Sequence, residues 1–109
     1  MANAGFYRFE TETMRIELEP STALRDYKDV VVSIRQSGTK EQIDIMANDL
    51  EIDAETGVLQ FHLDQAQTGR FRAGTAVLQV NIFFVDRERD TSITAILTVH
   101  ENLYEKVMT

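Results

Sequence analysis

An acidic stretch holds the side chains in this chain that are best suited to binding chemistry. Five carboxylates fall between positions 44 and 55: Asp44, Asp49, Glu51, Asp53 and Glu55. Three of them alternate, so a strand there would present hard oxygen ligands for calcium on one face. A calcium loop of the EF-hand type needs glycine at its sixth position, and counting from Asp49 that position is Ala54. We therefore interpret the stretch as a solvated strand face and a turn, and expect no metal site.

The two histidines, His62 and His100, are the other candidate ligands. His62 lies on the outward phase of an alternating segment, and a structural zinc site needs four ligands. The chain has no cysteine, so it forms no disulfide and offers no thiolate. It also lacks a Gly-x-Ser-x-Gly elbow and the glycine-rich phosphate-binding motifs. We predict surface histidines and a non-enzymatic protein with no catalytic residue and no cofactor.

The length and net charge of the chain narrow the possible classes of protein further. A chain of 109 residues is the size of one domain. Its net charge of −7 argues against binding to nucleic acid or anionic membranes, which select basic surfaces. No apolar run approaches the ~20 residues that span a bilayer, and the first residues lack the pattern of a secretory signal. We expect a soluble protein made in the cytoplasm.

The segment from Gly74 to His100 predicts the long hairpin around which the fold is organised. Apolar residues alternate along both of its arms: Ala76, Leu78, Val80, Ile82 and Phe84, then Ile93, Ala95, Leu97 and Val99. This period of two is typical of strands that turn one face to a core. A four-residue turn at 87–90 would pair Phe84 with Ile93 and Val80 with Leu97 across the ladder.

The remaining segments predict short strands separated by turns. The strands are expected at 14–18, 30–35, 42–46, 50–52 and 58–63, with a further edge strand near residue 6. Ser21 and Asp64 are expected to cap short helical turns near 21–26 and 64–69. The sequence thus predicts an all-β, antiparallel, immunoglobulin-like β-sandwich of seven to eight strands. It forms one domain over 1–109, with a lead-in at 1–5 and a tail at 101–109.

The outward phase of the long hairpin predicts an interaction surface. Fixing Phe84 in the core turns four side chains to the outside, where they form a patch with almost no charge: Gln79, Phe83, Val85 and Ile96. Depletion of charge around an aromatic residue is typical of the centre of a protein interface. Either another segment of the chain covers this patch, or the patch contacts a second subunit or another protein.

Several motifs occur in an order that resembles a known group of proteins. These are Phe61-His62-Leu63, the turn Asp64-Gln65-Ala66-Gln67-Thr68, the segment Phe71-Arg72-Ala73-Gly74, and Leu78-Gln79-Val80-Asn81. Residues 12 to 100 resemble small β-sandwich proteins of bacteriophages and prophages, and are similar to the amino-terminal immunoglobulin-like domain of baseplate upper proteins. The resemblance carries no catalytic residues, and we expect this chain to differ from the family in the long carboxy-terminal extension of a receptor-binding assembly.

The resemblance implies a structural role in a virion. On this interpretation the chain is a tail or baseplate component, and its partners are other tail subunits or further copies of itself. The alternative is a free-standing binding module for carbohydrate or for a cell-surface protein. Exposed aromatic platforms are typical of carbohydrate sites, and the chain has three tyrosines and no tryptophan.

Overall fold

Eight strands form two packed sheets in the computed structural model, which describes residues 5–20, 22–36 and 38–101. The strands are β1 (Gly5–Tyr7), β2 (Glu12–Glu17), β3 (Tyr27–Arg35), β4 (Gln42–Met46), β5 (Glu51–Asp53), β6 (Val58–Leu63), β7 (Gly74–Phe84) and β8 (Thr91–His100). One sheet has the order β1-β8-β7-β3-β4 and the other the order β2-β6-β5. The predicted all-β sandwich is confirmed.

The core lies between the sheets and is built from the inward phase of each strand. In the five-stranded sheet, Val32 on β3 faces Val80 on β7, and neither side chain has exposed surface. In the three-stranded sheet, Met14 and Ile16 on β2 face Phe61 and Leu59 on β6. All of these side chains are buried because strict alternation puts every second residue on the same face. The apolar periodicity therefore predicts the core correctly.

The register predicted for the long hairpin is wrong by four residues along β8. Val80 pairs with Ile93 rather than Leu97, and Leu97 pairs with Ala76. The last pair of the β7–β8 ladder joins Ile82 to Thr91, so Phe84 has no partner on β8 and pairs with Tyr27 on β3 instead. A slip by an even number of residues, here four, keeps every side chain on its face, so the burial pattern is unchanged.

The connection between β7 and β8 explains this register. The acidic residues of this connection stabilise a compact turn where two more pairs of β7 and β8 residues could otherwise have formed. Asp86 accepts a hydrogen bond from the backbone N–H of Glu88 at 3.1 Å and caps a 3₁₀ turn at Arg87–Arg89. Asp90 accepts a hydrogen bond from the backbone N–H of Phe84 at 2.8 Å. The Arg89 guanidinium covers the Phe84 ring, 4.4 Å from its centroid. These contacts favour the longer loop over the four-residue turn.

One predicted helical turn is present and the other is not. The helix α1 (Gln65–Gly69) is capped as expected, since Asp64 accepts from the Gln67 backbone N–H at 2.7 Å and the Gln67 side chain accepts from the Asp64 backbone N–H. The segment 22–26 forms turns without a helix, and Asp26 has a positive φ of 62°. That backbone conformation is incompatible with a continuing right-handed helix. The predicted cap Ser21 lies outside the described residues.

The amino-terminal end is more structured than the sequence predicts. The lead-in was expected to include Gly5, but Gly5 begins β1, which pairs in parallel with β8 through Gly5–Thr98. The sandwich is therefore antiparallel except for this pair. A Cβ at Gly5 would lie 2.6 Å from the Thr98 carbonyl oxygen. The close approach of β1 to β8 at this point therefore depends on glycine. Residues 1–4 and most of the tail, 102–109, lie outside the described residues.

No helix in the described part of the chain is long and apolar enough to cross a lipid bilayer.

Candidate functional site

The outer surface of β7 and β8 is the most distinctive surface of the molecule. Nine outward-facing residues compose it, and we call them the neutral face: Thr75, Val77, Gln79, Asn81 and Phe83 on β7, and Ser92, Thr94, Ile96 and Thr98 on β8. None of the nine carries a charge, although 27% of the chain is charged. The neutral face therefore differs from the average surface of this acidic protein.

The structure places three of the four predicted interface residues on the neutral face. Phe83 is 40% exposed and Ile96 is 65% exposed, while Gln79 is half-buried. Val85 is 85% exposed but lies past the end of β7. Gln79 faces Thr94, and Ile96 faces Val77 rather than Asn81 as the predicted register required.

The apolar residues of the neutral face fall at its two ends. Val77 and Ile96 form one end, and Phe83 forms the other with Val85 just beyond it. Val77 and Phe83 are six positions apart on β7, which is roughly 20 Å along a strand. A polar centre lies between them, where Ser92 donates a hydrogen bond to the Asn81 side-chain oxygen at 2.7 Å. The four predicted residues therefore share one face without forming one compact cluster.

The neighbouring strands of the same sheet carry charged side chains on this outer surface. Beyond β7, the outer positions of β3 and β4 include Asp44, which accepts hydrogen bonds from Ser33 Oγ at 2.7 Å and Gln42 Nε2 at 2.9 Å. These two donors, Ser33 more than Gln42, hold the pKa of the Asp44 carboxyl below its ordinary value. Met46 at the β4 edge is 51% exposed and continues the apolar surface past Asp44.

The opposite sheet provides an internal comparison. Its outer face carries charge on both of its edge strands, with Arg15 and Glu17 on β2 and Glu51 and Asp53 on β5. Arg15 and Glu17 approach to 3.3 Å in an exposed ion pair. Solvated charges of both signs are typical of a surface that stays in water. The neutral face has none of these features.

The acidic stretch is split between different elements. Asp49 lies in a 3₁₀ turn, Ala47–Asp49, so it does not continue the alternation of Glu51 and Asp53 on β5. The Asp53 carboxylate accepts hydrogen bonds from two backbone N–H groups, at 3.1 Å from Glu55 and 3.3 Å from Thr56. This is the predicted turn. No three His, Asp or Glu side chains in residues 5–20, 22–36 and 38–101 are grouped as a metal site requires.

Both histidines are exposed and have neighbours from other strands. The Thr13 hydroxyl lies 2.9 Å from His62 Nδ1 across the β2–β6 ladder. The His100 ring stacks on Tyr7, with 4.7 Å between ring centroids and 25° between planes. Tyr7 is 47% exposed, so the pair presents an aromatic surface at the β1 edge.

A groove of about 760 Å³ runs along one side of the sandwich, between β8 and β2. Residues from both sheets line its apolar floor: Ile16, Leu18, Leu78, Val80, Ile93 and Ala95. Glu12, Glu17 and Glu19 lie along its β2 rim, and Tyr7 and His100 lie at its β1 end. We call this feature the β8–β2 groove.

Sequence reasoning missed the Tyr7–His100 pair and the groove. The Tyr7–His100 pair depends on the parallel pairing of β1 with β8, which joins residues 93 positions apart, and the groove depends on β8 lying across from β2 of the other sheet. No local pattern specifies such a pairing, because three residues of β1 are too few to show a period. The outward position of Val77, by contrast, was predictable. Val77 is an even number of residues from Gln79 and Phe83, so it falls on the same face of the strand.

Comparison with known proteins shows the fold of this chain and nothing finer. No protein-family model and no curated protein sequence matches it. Among solved structures it is similar to the endo-beta-1,4-mannanase from Thermotoga petrophila, with a TM-score of 0.59 and 15% identity, over 92% of this chain and 18% of that one. A protein of Bacteroides vulgatus ATCC 8482 assigned as a glycoside hydrolase gives a TM-score of 0.47 and 9% identity, over 92% of this chain and 17% of that one. The chain spans less than one fifth of either structure.

Proposed function

We propose that this chain is a non-enzymatic structural protein that acts through a protein–protein contact on its neutral face. The observation that carries the proposal is the absence of charge at nine consecutive outward positions of β7 and β8, while the opposite sheet carries charge on both edge strands. Interface centres are depleted of charge and enriched in aromatic and apolar residues. Phe83 and Ile96 supply these residues at the two ends of the face.

The size of the face indicates how much of the sheet such a contact uses. Two neighbouring strands of about ten residues each have a projected area of roughly 300 Å². This figure uses ~4.8 Å between strands and ~3.3 Å per residue along each strand. A specific interface buries about 800 Å² per partner. A contact of that size therefore extends past β7 onto β3 and β4, where the apolar Val31 and the 51% exposed Met46 lie beside the charged Asp29 and Asp44.

Substitution of Phe83 by aspartate tests this proposal. Phe83→Asp places a charge at a 40% exposed position opposite Asp29 on β3, so we expect the melting temperature to fall slightly, by the effect of one like-charge pair, while association weakens. Light scattering and sedimentation velocity over a concentration series measure the association of the chain with itself. Ile96→Asp should act in the same direction from the other end of the face, and Thr13→Asp, on the outer face of the opposite sheet, is the matched control.

Two outcomes would contradict the contact. In the first, the wild type stays monomeric at all concentrations and Phe83→Asp unfolds it, which would mean that Phe83 is held within the chain. In the second, Thr13→Asp weakens association as much as Phe83→Asp, which would mean that added charge alone accounts for the effect.

We further propose that the structural role is that of a bacteriophage or prophage tail or baseplate component. The resemblance of residues 12–100 to baseplate sandwich domains supports this assignment, and the neutral face supplies a surface for docking to other tail subunits or to further copies. The genes beside the coding sequence provide the test. Tail, tape-measure and lysis genes are expected there, and polysaccharide-degradation genes would contradict the assignment. In virions, the protein should co-purify with tails, and Phe83→Asp should reduce its incorporation.

A second candidate function is carbohydrate binding, favoured by the exposed Tyr7–His100 pair at the end of the groove. Stacked aromatic rings offer a platform for the apolar face of a sugar ring. Calorimetric titration with mannan oligosaccharides is the test, because one protein of similar fold is an endo-beta-1,4-mannanase. Binding that Tyr7→Ala abolishes and Phe83→Asp leaves intact would favour this function over the assembly role.

A further inference from the structure

Two residues of opposite charge lie at opposite ends of the neutral face, on the neighbouring strand β3. In the ladder with β7, Asp29 pairs with Phe83 and Arg35 pairs with Val77. Both charged residues belong to the outward phase of β3, where Asp29 is half-buried and Arg35 is exposed. They are six positions apart, or roughly 20 Å along the strand. Each end of this surface therefore has an apolar side chain beside a charged one, and the sign of the charge differs between the ends.

This surface is complementary to itself when a second copy is turned over and placed against the first. Two identical sheets face each other about a two-fold axis that lies between them, either across the strands or along them. An axis across the strands at the level of Val80 reverses the order of positions along each strand. Phe83 of one copy then faces Val77 of the other, and Asp29 faces Arg35. Because the symmetry makes each contact twice, the two copies gain two apolar contacts and two ion pairs.

The polar centre of the neutral face is complementary to itself about the same axis. Gln79 lies on one side of the axis and Asn81 on the other, so each of these amides faces the other residue in the second copy. Side-chain amides both donate and accept hydrogen bonds, so the two can pair across the contact. On β8, Thr94 and Ser92 lie beside them and exchange places in the same way, and hydroxyl groups also donate and accept.

The charge of the chain favours this arrangement over one with the axis along the strands. Each copy carries a net charge of −7, so two copies repel each other except where the facing surfaces are neutral or complementary. An axis along β7 leaves each residue at its own level, so Phe83 meets Phe83 and the exposed Ile96 lies opposite Arg35. Asp29 and Arg35 do not meet in that arrangement, and the two ion pairs are lost.

We propose that the neutral face and β3 bind a second copy of this chain across a two-fold axis near Val80, with Phe83 against Val77 and Asp29 paired with Arg35 of the other copy. This contact rests on the proposed function and specifies the partner and the geometry at that same surface. Both copies use the same surface, so association stops at the dimer.

Reversal of the charge pair tests this geometry by sedimentation velocity. Arg35→Asp brings two carboxylates together at both ends of the dimer, so dimerisation should weaken at least about tenfold. Asp29→Arg should weaken it in the same way, and the double variant should recover most of the wild-type affinity. The recovery cannot arise within one chain, since the two positions lie roughly 20 Å apart. Arg15→Asp, on the outer face of the other sheet, makes the same change in net charge and should leave dimerisation nearly unchanged.

Cross-linking provides a second test that leaves the charges unchanged. The chain has no cysteine, so an introduced thiol reacts alone. A mixture of the Val77→Cys and Phe83→Cys variants, treated with a short bifunctional maleimide, should give a covalent dimer in higher yield than either variant by itself. A mixture of Thr13→Cys and Phe83→Cys is the control and should give no covalent dimer above background, because Thr13 lies on the other sheet.

Three results would overturn this geometry. A wild type that stays monomeric at millimolar concentration would mean that another protein, or a segment of this chain, occupies the face. A double charge variant no stronger than the single variants, or Phe83→Cys that cross-links to itself, would mean that the copies meet in another arrangement. In each case the proposed function stands if Phe83→Asp still weakens association or virion incorporation, and it fails separately if Phe83→Asp weakens neither.

Discussion

Removing the Leu97 side chain gives a sharp test of the sandwich core. Leu97 has no exposed surface and lies opposite Ala76 on β7. Leu97→Ala deletes three carbon groups, which cost about 0.8 kcal/mol each, or about 2.4 kcal/mol in lost burial. A cavity term is added because a side chain as small as Ala76 cannot fill the space, so we expect a loss of about 3–5 kcal/mol in the free energy of unfolding.

Urea unfolding followed by circular dichroism measures this loss, and a thermal melt should fall by at least about 10 °C. The adjacent substitution Ile96→Ala is the control, since it changes a residue of similar size on the opposite face of the same strand. Ile96 is 65% exposed, so its effect should stay within about 0.5 kcal/mol at low protein concentration. Equal losses for the two variants would refute the assignment of faces on β8.

Three further predictions concern the acidic surface and the β1 edge. We expect millimolar calcium to leave the melting temperature unchanged. A calcium site of micromolar affinity would instead stabilise the folded protein by about 4 kcal/mol. A rise of several degrees in the melting temperature that Asp49→Asn abolishes would therefore contradict this expectation. Gly5→Ala should weaken the β1–β8 pairing and speed hydrogen exchange at Thr98, since the new Cβ would meet the Thr98 carbonyl oxygen; unchanged exchange would argue against that close approach. Ser33→Ala should raise the pKa of Asp44 toward its ordinary value of about 4 in an NMR titration, and no change would exclude the Ser33 hydroxyl as its main cause. Because the folded-state pKa of Asp44 is lowered, its contribution to stability is present above that ordinary value and is lost as the pH falls through the lower one.

The local sequence pattern was sufficient to predict the strands and which of their side chains point inward or outward. The alternation along 76–84 and 93–99 identified the residues that β7 and β8 bury, and it also placed Phe83 and Ile96 outside. Capping chemistry was equally local, since Asp64 and the start of α1 lie within a few residues of each other. Such features depend on a side-chain period or on neighbours in sequence, and a single chain displays both.

Tertiary structure decided what depends on contacts between distant segments. The register of β8 follows from how the loop carboxylates Asp86 and Asp90 bind backbone N–H groups. A slip by four residues keeps every side chain on the same face, so alternation could not choose between the registers. The β1–β8 pair joins Gly5 to Thr98, 93 positions apart, through an approach that only the packed sheet reveals. The β8–β2 groove exists because β2 lies across from β8 in the other sheet. The sequence alone thus determined which residues face outward, and the tertiary structure decided which of them meet.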